Sequence, residues 1–212
     1  MADIDKFVGD AIMAVFEGPR KELAACKSAM QIRAAMAEDK EQRRLGGKRV
    51  LSIGIGINSG PVVVGSVGAK DRMDFTSIGD TVNLAARLEG ANKTYGTKSL
   101  ITATVQAKVR EQFLCREIDL LTVKGKRQPV RIYEVLQELK KAGEKLREIK
   151  KYFEGGLSLY RKQLWAEAQK AFRFLVQRYQ DEASEVFLRR IELFRKSPPP
   201  EDWDGVFNLT VK

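Results

Sequence analysis

An amide and a guanidinium one helical turn apart are the side chains of this sequence best arranged for chemistry. Residues 74–87 read DFTSIGDTVNLAAR. Behind a Gly79-Asp80 turn, Asn83 and Arg87 stand at positions i and i+4, which share a helix face. Val82, Leu84, Ala85, Ala86 and Leu88 fill most of the remaining positions, and Asp80 or Thr81 is a candidate cap for the helix start. Asn is a mediocre helix former, so propensity alone does not account for Asn83 inside the first turn. Presented together, the two side chains can hold a polar ligand through several hydrogen bonds. A solvated Arg beside a tolerated Asn is the plainer alternative.

The elements that must position this pair are legible along the chain. Residues 5–16, DKFVGDAIMAVF, are two apolar strand-like runs around a Gly9-Asp10 turn, the signal of a short hairpin. Residues 20–43 predict a helix, with Ala24, Ala25, Met30, Ile32, Ala35 and Met36 as a broad apolar face ended by Gly46-Gly47. The run VLSIGIGINSG is strand-like, and Gly54 and Gly56 predict close approach of another backbone. Asn58-Ser59-Gly60-Pro61 is a turn, from which VVVGSVG returns as a second strand. After the Asn83 helix come a short strand near 99–102, a helix near 103–110, and strands near 113–123 and 130–136. Strands interspersed with helices predict an α+β domain.

Four segments, DKFVGDAIMAVF, GIGINSGPVVVGSVG, DFTSIGDTVNLAAR and TVKGKRQPVRIYEV, resemble the class III adenylate/guanylate cyclase catalytic domain in order and spacing, over about residues 4–136. The resemblance implies a ferredoxin-like βαββαβ core. It implies conversion of ATP to 3′,5′-cyclic AMP and pyrophosphate, with two Mg²⁺ or Mn²⁺ ions at a dimer interface. On this basis Asp10 matches a metal-binding hairpin aspartate, Lys6 the residue that reads the purine edge, and Thr76 its partner. Asn83 matches the residue that orients the ribose, and Arg87 the one that stabilises charge on the α-phosphate. Lys124 in the VKGK turn matches the triphosphate-binding lysine, with Lys126 as a neighbouring substitute. The Lys6–Thr76 pairing resembles the adenylate rather than the guanylate type, since Lys donates to adenine N1 and Thr accepts from the exocyclic amine. A guanylate cyclase is the nearest alternative, and a non-catalytic nucleotide-binding or dimerisation module the one from another class.

The family's opening strand and two helices, with the first metal aspartate, have no counterpart. Ala2-Asp3-Ile4 echoes that motif only on the hairpin's own incoming strand. These residues are therefore expected to form a cyclase core lacking its first strand and helices, inactive unless a complementing cyclase chain supplies the absent carboxylate. The partners expected are ATP and a second copy or complementing chain.

From about residue 139 the pattern becomes continuous helix. Tyr160, Trp165, Ala168 and Phe172 fall near tetratricopeptide (TPR) spacing, one residue short between the helices, and resemble a single degenerate TPR-type α-helical hairpin. One such repeat cannot bury its own apolar face. It must pack on the catalytic domain, on a second copy or on a protein partner. The organisation expected is a partial cyclase domain over 1–138, a TPR-like helical segment over 139–196 and a tail over 197–212, anchored through Trp203 and Phe207.

Bulk properties narrow the chemistry. With 212 residues, 43% hydrophobic and 31% charged, the chain suits an ordinary globular protein. The absence of histidine excludes His-based triads and His-ligated metals, leaving oxygen ligands and hence Mg²⁺ or Mn²⁺. The net charge of +10 is spread through helices that also carry Glu, so it predicts attraction of nucleotide polyanions rather than nucleic-acid binding. No apolar run reaches membrane-spanning length, and MADIDKF lacks a signal-peptide pattern. Two distant cysteines, Cys26 and Cys115, read as reduced thiols in a cytoplasmic protein.

Overall fold

The computed structural model describes residues 2–69, 72–122 and 129–207. Its central element is a four-stranded sheet in the order β3 (Ile55–Ile57), β6 (Ser99–Thr102), β8 (Val130–Glu138), β7 (Phe113–Leu121). The first pair is parallel and the other two are antiparallel. Both faces of this sheet are covered, which its sequence reflects: β6 is buried at every position. Leu100 joins an apolar cluster on one side, and its neighbour Ile101 joins the cluster on the other.

One face carries α1 (Lys21–Leu45) and α3 (Ala103–Val109), packed through Cys26, Val105, Val109, Cys115 and Val135. The expected apolar face of α1 is only partly realised. Ala25, Cys26 and Ala29 are buried, whereas Ile32 and Ala35 are exposed. At about 1.5 Å per residue the 25-residue helix outruns the short sheet beneath it. Cys26 and Cys115 are free thiols, pushed up to about 12 by burial.

The opposite face carries α2 (Asp80–Tyr95) and three C-terminal helices, α4 (Glu144–Arg161), α5 (Trp165–Tyr179) and α6 (Glu182–Lys196). The C-terminal segment adds a third helix, α6, to the α-helical hairpin formed by α4 and α5. Asp181 caps α6 by accepting from the Ser184 backbone N–H at 3.0 Å. One apolar cluster runs from Leu84, Leu88 and Tyr95 through Ile118 and Ile132 to Phe153, Phe172 and Phe187. The apolar face of these helices is thus spent on the sheet and on α2. Trp203 in the tail stacks edge-on against Tyr160 at 5.3 Å and lies 5.0 Å from Phe194.

Two hairpins complete the fold. The strands β1 (Ala2–Val8) and β2 (Ala11–Phe16) flank the Gly9-Asp10 turn, where Gly9 adopts φ +62°. The strands β4 (Val63–Ala69) and β5 (Arg72–Ile78) form the second antiparallel pair. Here the fold departs from expectation, because VVVGSVG pairs forward with β5 and not back onto β3. The strand-like run before it contributes only Ile55–Ile57. The hairpins leave Ile4, Phe7, Val8, Ile12, Val63 and Val64 exposed, an apolar surface concentrated in the first third of the chain.

Candidate active site

Helix α2 carries Asn83 and Arg87, and its placement follows from two glycines. A Cβ at Gly56 would fall inside the backbone of Ala85 and Glu89, and one at Gly54 would lie 2.8 Å from the Glu89 carbonyl oxygen. Only glycine lets β3 and α2 meet backbone to backbone. Asn92 completes the joint. Its amide donates to the carbonyls of Ile55 (3.0 Å) and Leu88 (2.9 Å), and its oxygen accepts from the Thr97 hydroxyl at 2.9 Å.

The start of α2 is held by the turn after β3. Asn58 Nδ2 donates to the Thr81 carbonyl at 3.0 Å, and its oxygen accepts from the Thr102 hydroxyl at 2.9 Å. The expected side-chain cap by Asp80 or Thr81 is not made. Gly79 occupies the cap position without a side chain to offer, and Thr81 donates to the Pro61 carbonyl at 2.7 Å. Ser59 in the same turn donates to Glu22 of α1 at 2.6 Å and holds that carboxyl below its ordinary value.

With Leu84, Leu88, Ala91 and Tyr95 buried along one stripe of α2, Asn83 and Arg87 stand on the exposed side. Neither side chain makes a hydrogen bond or ion pair among the described residues. They remain available to a ligand, near a helix N-terminus whose dipole favours anions. Thr76 lies just upstream on β5 and is buried at 3% exposure. Its hydroxyl donates to Asp5 Oδ2 at 2.8 Å, and the Ser77 backbone N–H donates to Asp5 Oδ1 at 3.2 Å. Asp5 immediately precedes Lys6 on β1, so this contact seats the Lys6 strand against the Thr76 strand.

Asp10 is exposed at the hairpin tip. Among the described residues no three His, Cys, Asp or Glu side chains gather as a metal cage. Lys124 and Lys126 lie outside the described residues. A divalent ion of the Mg²⁺ type needs only one or two carboxylates beside water and phosphate oxygens. The free Asp10 carboxylate fits as one such ligand. The structure thus brings Lys6 and Thr76 to neighbouring strands and places Asn83 and Arg87 one element later. Asp5, Asn58 and Asn92 were not apparent as site-forming residues. Asn58 had a sequence signal only as part of a turn.

The architecture is mixed α+β, with a helix that presents an exposed amide–guanidinium pair above a central sheet. Residues 4–137 match the adenylate and guanylate cyclase catalytic domain, and the chain belongs to that family. It is 43% identical over 138 residues to an adenylate cyclase of Anabaena cylindrica, covering 62% of this chain and 28% of that protein. It is 36% identical over 176 residues to the terminal-differentiation specific adenylate cyclase of Dictyostelium discoideum, covering 80% of this chain and 8% of that protein. The chain therefore spans well under a third of either relative. The crystal structure of the adenylyl cyclase CyaB from P. aeruginosa superposes with a TM-score of 0.58 at 35% identity, over 67% of this chain and 75% of that one. Among the described residues no helix is long and apolar enough to cross a membrane.

Proposed function

We propose that this chain is an adenylate cyclase module that cyclises ATP to 3′,5′-cyclic AMP and pyrophosphate at an interface between two catalytic chains. The reaction joins the ribose 3′-oxygen to the α-phosphorus and breaks the bond to pyrophosphate, so its demands are alignment and charge. Asn83 orients the ribose. Arg87, one turn further on, meets the charge that develops on the α-phosphate, and Lys124 binds the triphosphate. Lys6 and Thr76 read the adenine edge, and Asp10 holds Mg²⁺ or Mn²⁺. When bound, such ions neutralise the phosphates and make the 3′-hydroxyl more acidic.

The observation that carries this reading is the α2 geometry: one face is locked onto β3 and the core, and Asn83 and Arg87 stand exposed on the other, their side chains unpaired among the described residues. An exposed pair in the single chain is what a site closed by a second chain requires. These 212 residues offer one metal carboxylate at the site, Asp10. We therefore infer that alone they turn over little ATP, and that a complementing cyclase chain bringing both metal carboxylates opposite Asn83 and Arg87 restores turnover. In this reading residues 1–138 are the catalytic unit, 139–196 a helical unit built against it, and 197–212 its tail. A protein partner of the helices would meet the outward Tyr152, Leu164 and Leu193.

The test is cyclic nucleotide formation from ATP and from GTP with Mg²⁺ or Mn²⁺, by the chain alone and mixed with a longer cyclase chain. ATP is the preferred substrate of the mixture, and Arg87→Ala lowers the share of the rate contributed by this chain by about 10²–10³. Equal or better use of GTP, or full activity of Arg87→Ala, contradicts the reading.

A further inference from the structure

A carboxylate beside the purine-reading pair is given no role by the activity proposed above. Asp5 lies where the β1–β2 register slips: Ile4 pairs with Ala14 and Lys6 with Met13, which leaves Asp5 as the extra residue of a β-bulge. Bulges re-aim side chains and break the strict alternation of a strand. Here the bulge lets the Asp5 carboxylate reach β5, where it takes the Ser77 backbone N–H on one oxygen and the Thr76 hydroxyl on the other.

The second of these bonds constrains hydrogen positions. An ionised carboxylate only accepts, so the single hydrogen of the Thr76 hydroxyl is committed to Asp5. Among the described residues the other acceptor near that hydroxyl, the Ser77 carbonyl, is at 3.5 Å and is a weak competitor. Toward any third group Thr76 therefore offers lone pairs alone. Lys6 next door is a donor without acceptor capacity.

We propose that Asp5 is a positioning residue for base selection, fixing Thr76 as an acceptor so that the site takes adenine and refuses guanine. The inference rests on the adenylate reading above. Adenine offers a donor at its exocyclic amine and an acceptor at N1. Guanine offers the reverse, an acceptor at O6 and a donor at N1. A freely rotating hydroxyl serves either purine by turning its hydrogen around. With that hydrogen held by Asp5, guanine meets lone pair against lone pair at O6, inside a site where an unmade hydrogen bond is costly.

Asp5→Asn separates this role from simple support of the hairpin. The amide keeps one oxygen for the Ser77 N–H and turns its NH₂ toward Thr76. The hydroxyl must then accept from the amide, and its own hydrogen is released toward the base. The test is calorimetric titration with the α,β-methylene analogues of ATP and GTP, which bind without turnover, in Mg²⁺ and with a complementing cyclase chain that keeps its metal carboxylates but has lost its own purine-reading residues. It compares the unaltered chain, Asp5→Asn, Thr76→Val and the double variant. The unaltered chain binds the adenine analogue more tightly. Asp5→Asn cuts that preference by about tenfold or more, the size of one mismatched buried hydrogen bond. Thr76→Val also cuts it, and adding Asp5→Asn to Thr76→Val changes the ratio no further. Asp5→Ala frees the same hydroxyl and reads the same ratio if Asp5→Asn does not fold. If both nucleotides weaken in parallel with the ratio unchanged, Asp5 is a strut and the inference fails while the adenylate reading stands. If the unaltered chain binds neither purine, or binds both alike, the adenylate reading itself fails and the role of Asp5 falls with it.

Discussion

Single residues at the joint between the sheet and the C-terminal helices bear unusual electrostatic weight. Asp119 on β7 is fully buried, accepts from the Tyr95 hydroxyl at 2.6 Å and pairs with Arg190 of α6 at 2.5 Å. Arg190 also donates to the Tyr95 oxygen at 3.0 Å and stacks 4.1 Å from the Phe207 ring centre. Burial and the Asp119 carboxylate together push the Tyr95 phenol well above its ordinary value. A second buried ionic group of three, Arg116 with Glu134 at 2.8 Å and with Asp181 at 2.7 Å, ties β7 to the cap of α6. Removing one member of such a pair strands a charge without solvent. Arg190→Met is accordingly expected to destabilise the fold by about 3–5 kcal/mol. Arg190→Met with Asp119→Asn recovers much of that loss, since both charges leave together. Denaturant titration of the three variants decides the point: an Arg190→Met chain as stable as the parent removes the joint from the account. None of this was legible from sequence. Asp119 and Arg190 lie 71 positions apart, and nothing in a residue's type announces that its partner will be buried beside it.

Among the elements, α2 carries the proposed site, and sequence patterning foresaw much of its setting. The Gly9-Asp10 hairpin, the helix bearing Asn83 and Arg87, and the strands near 99–102, 113–123 and 130–136 all follow from local periodicity and turn chemistry. The close approach expected at Gly54 and Gly56 is the seat of α2. Where long-range pairing decides, local pattern misleads. The strand β5 hides in the lead-in to the helix, and VVVGSVG pairs with it rather than with the run before the turn, because register is set by a partner the pattern does not name. The third C-terminal helix similarly depends on burial against α2 and β7. A Cβ at Gly96 would collide with Glu182 at the start of α6, so α6 fits closely against the end of α2. Gly56→Ala forces β3 and α2 apart at a contact where both sides are backbone. The expected result is a loss of about 3 kcal/mol or more in stability. Nucleotide affinity should fall as well, in any preparation that remains folded. An unfolding midpoint unchanged by Gly56→Ala would show that α2 is seated some other way.

At the scale of the whole molecule, the two hairpins and α2 leave both polar and apolar groups uncovered. The hairpin tip with Asp10, the apolar residues Ile4, Phe7, Ile12 and Val63, and the pair on α2 all face outward. The C-terminal helices are closed onto the core. In the reading proposed above, Asn83 and Arg87, exposed in the single chain, are covered by a second catalytic chain. The most direct measurement pairs this chain with an adenylate cyclase chain that keeps its metal-binding carboxylates but has lost its own phosphate-binding arginine, and follows cyclic AMP formation. The account predicts that adding this chain rescues synthesis, that Asp10→Ala still rescues, and that Arg87→Ala does not. Rescue by Arg87→Ala, or its loss in Asp10→Ala alone, would contradict it.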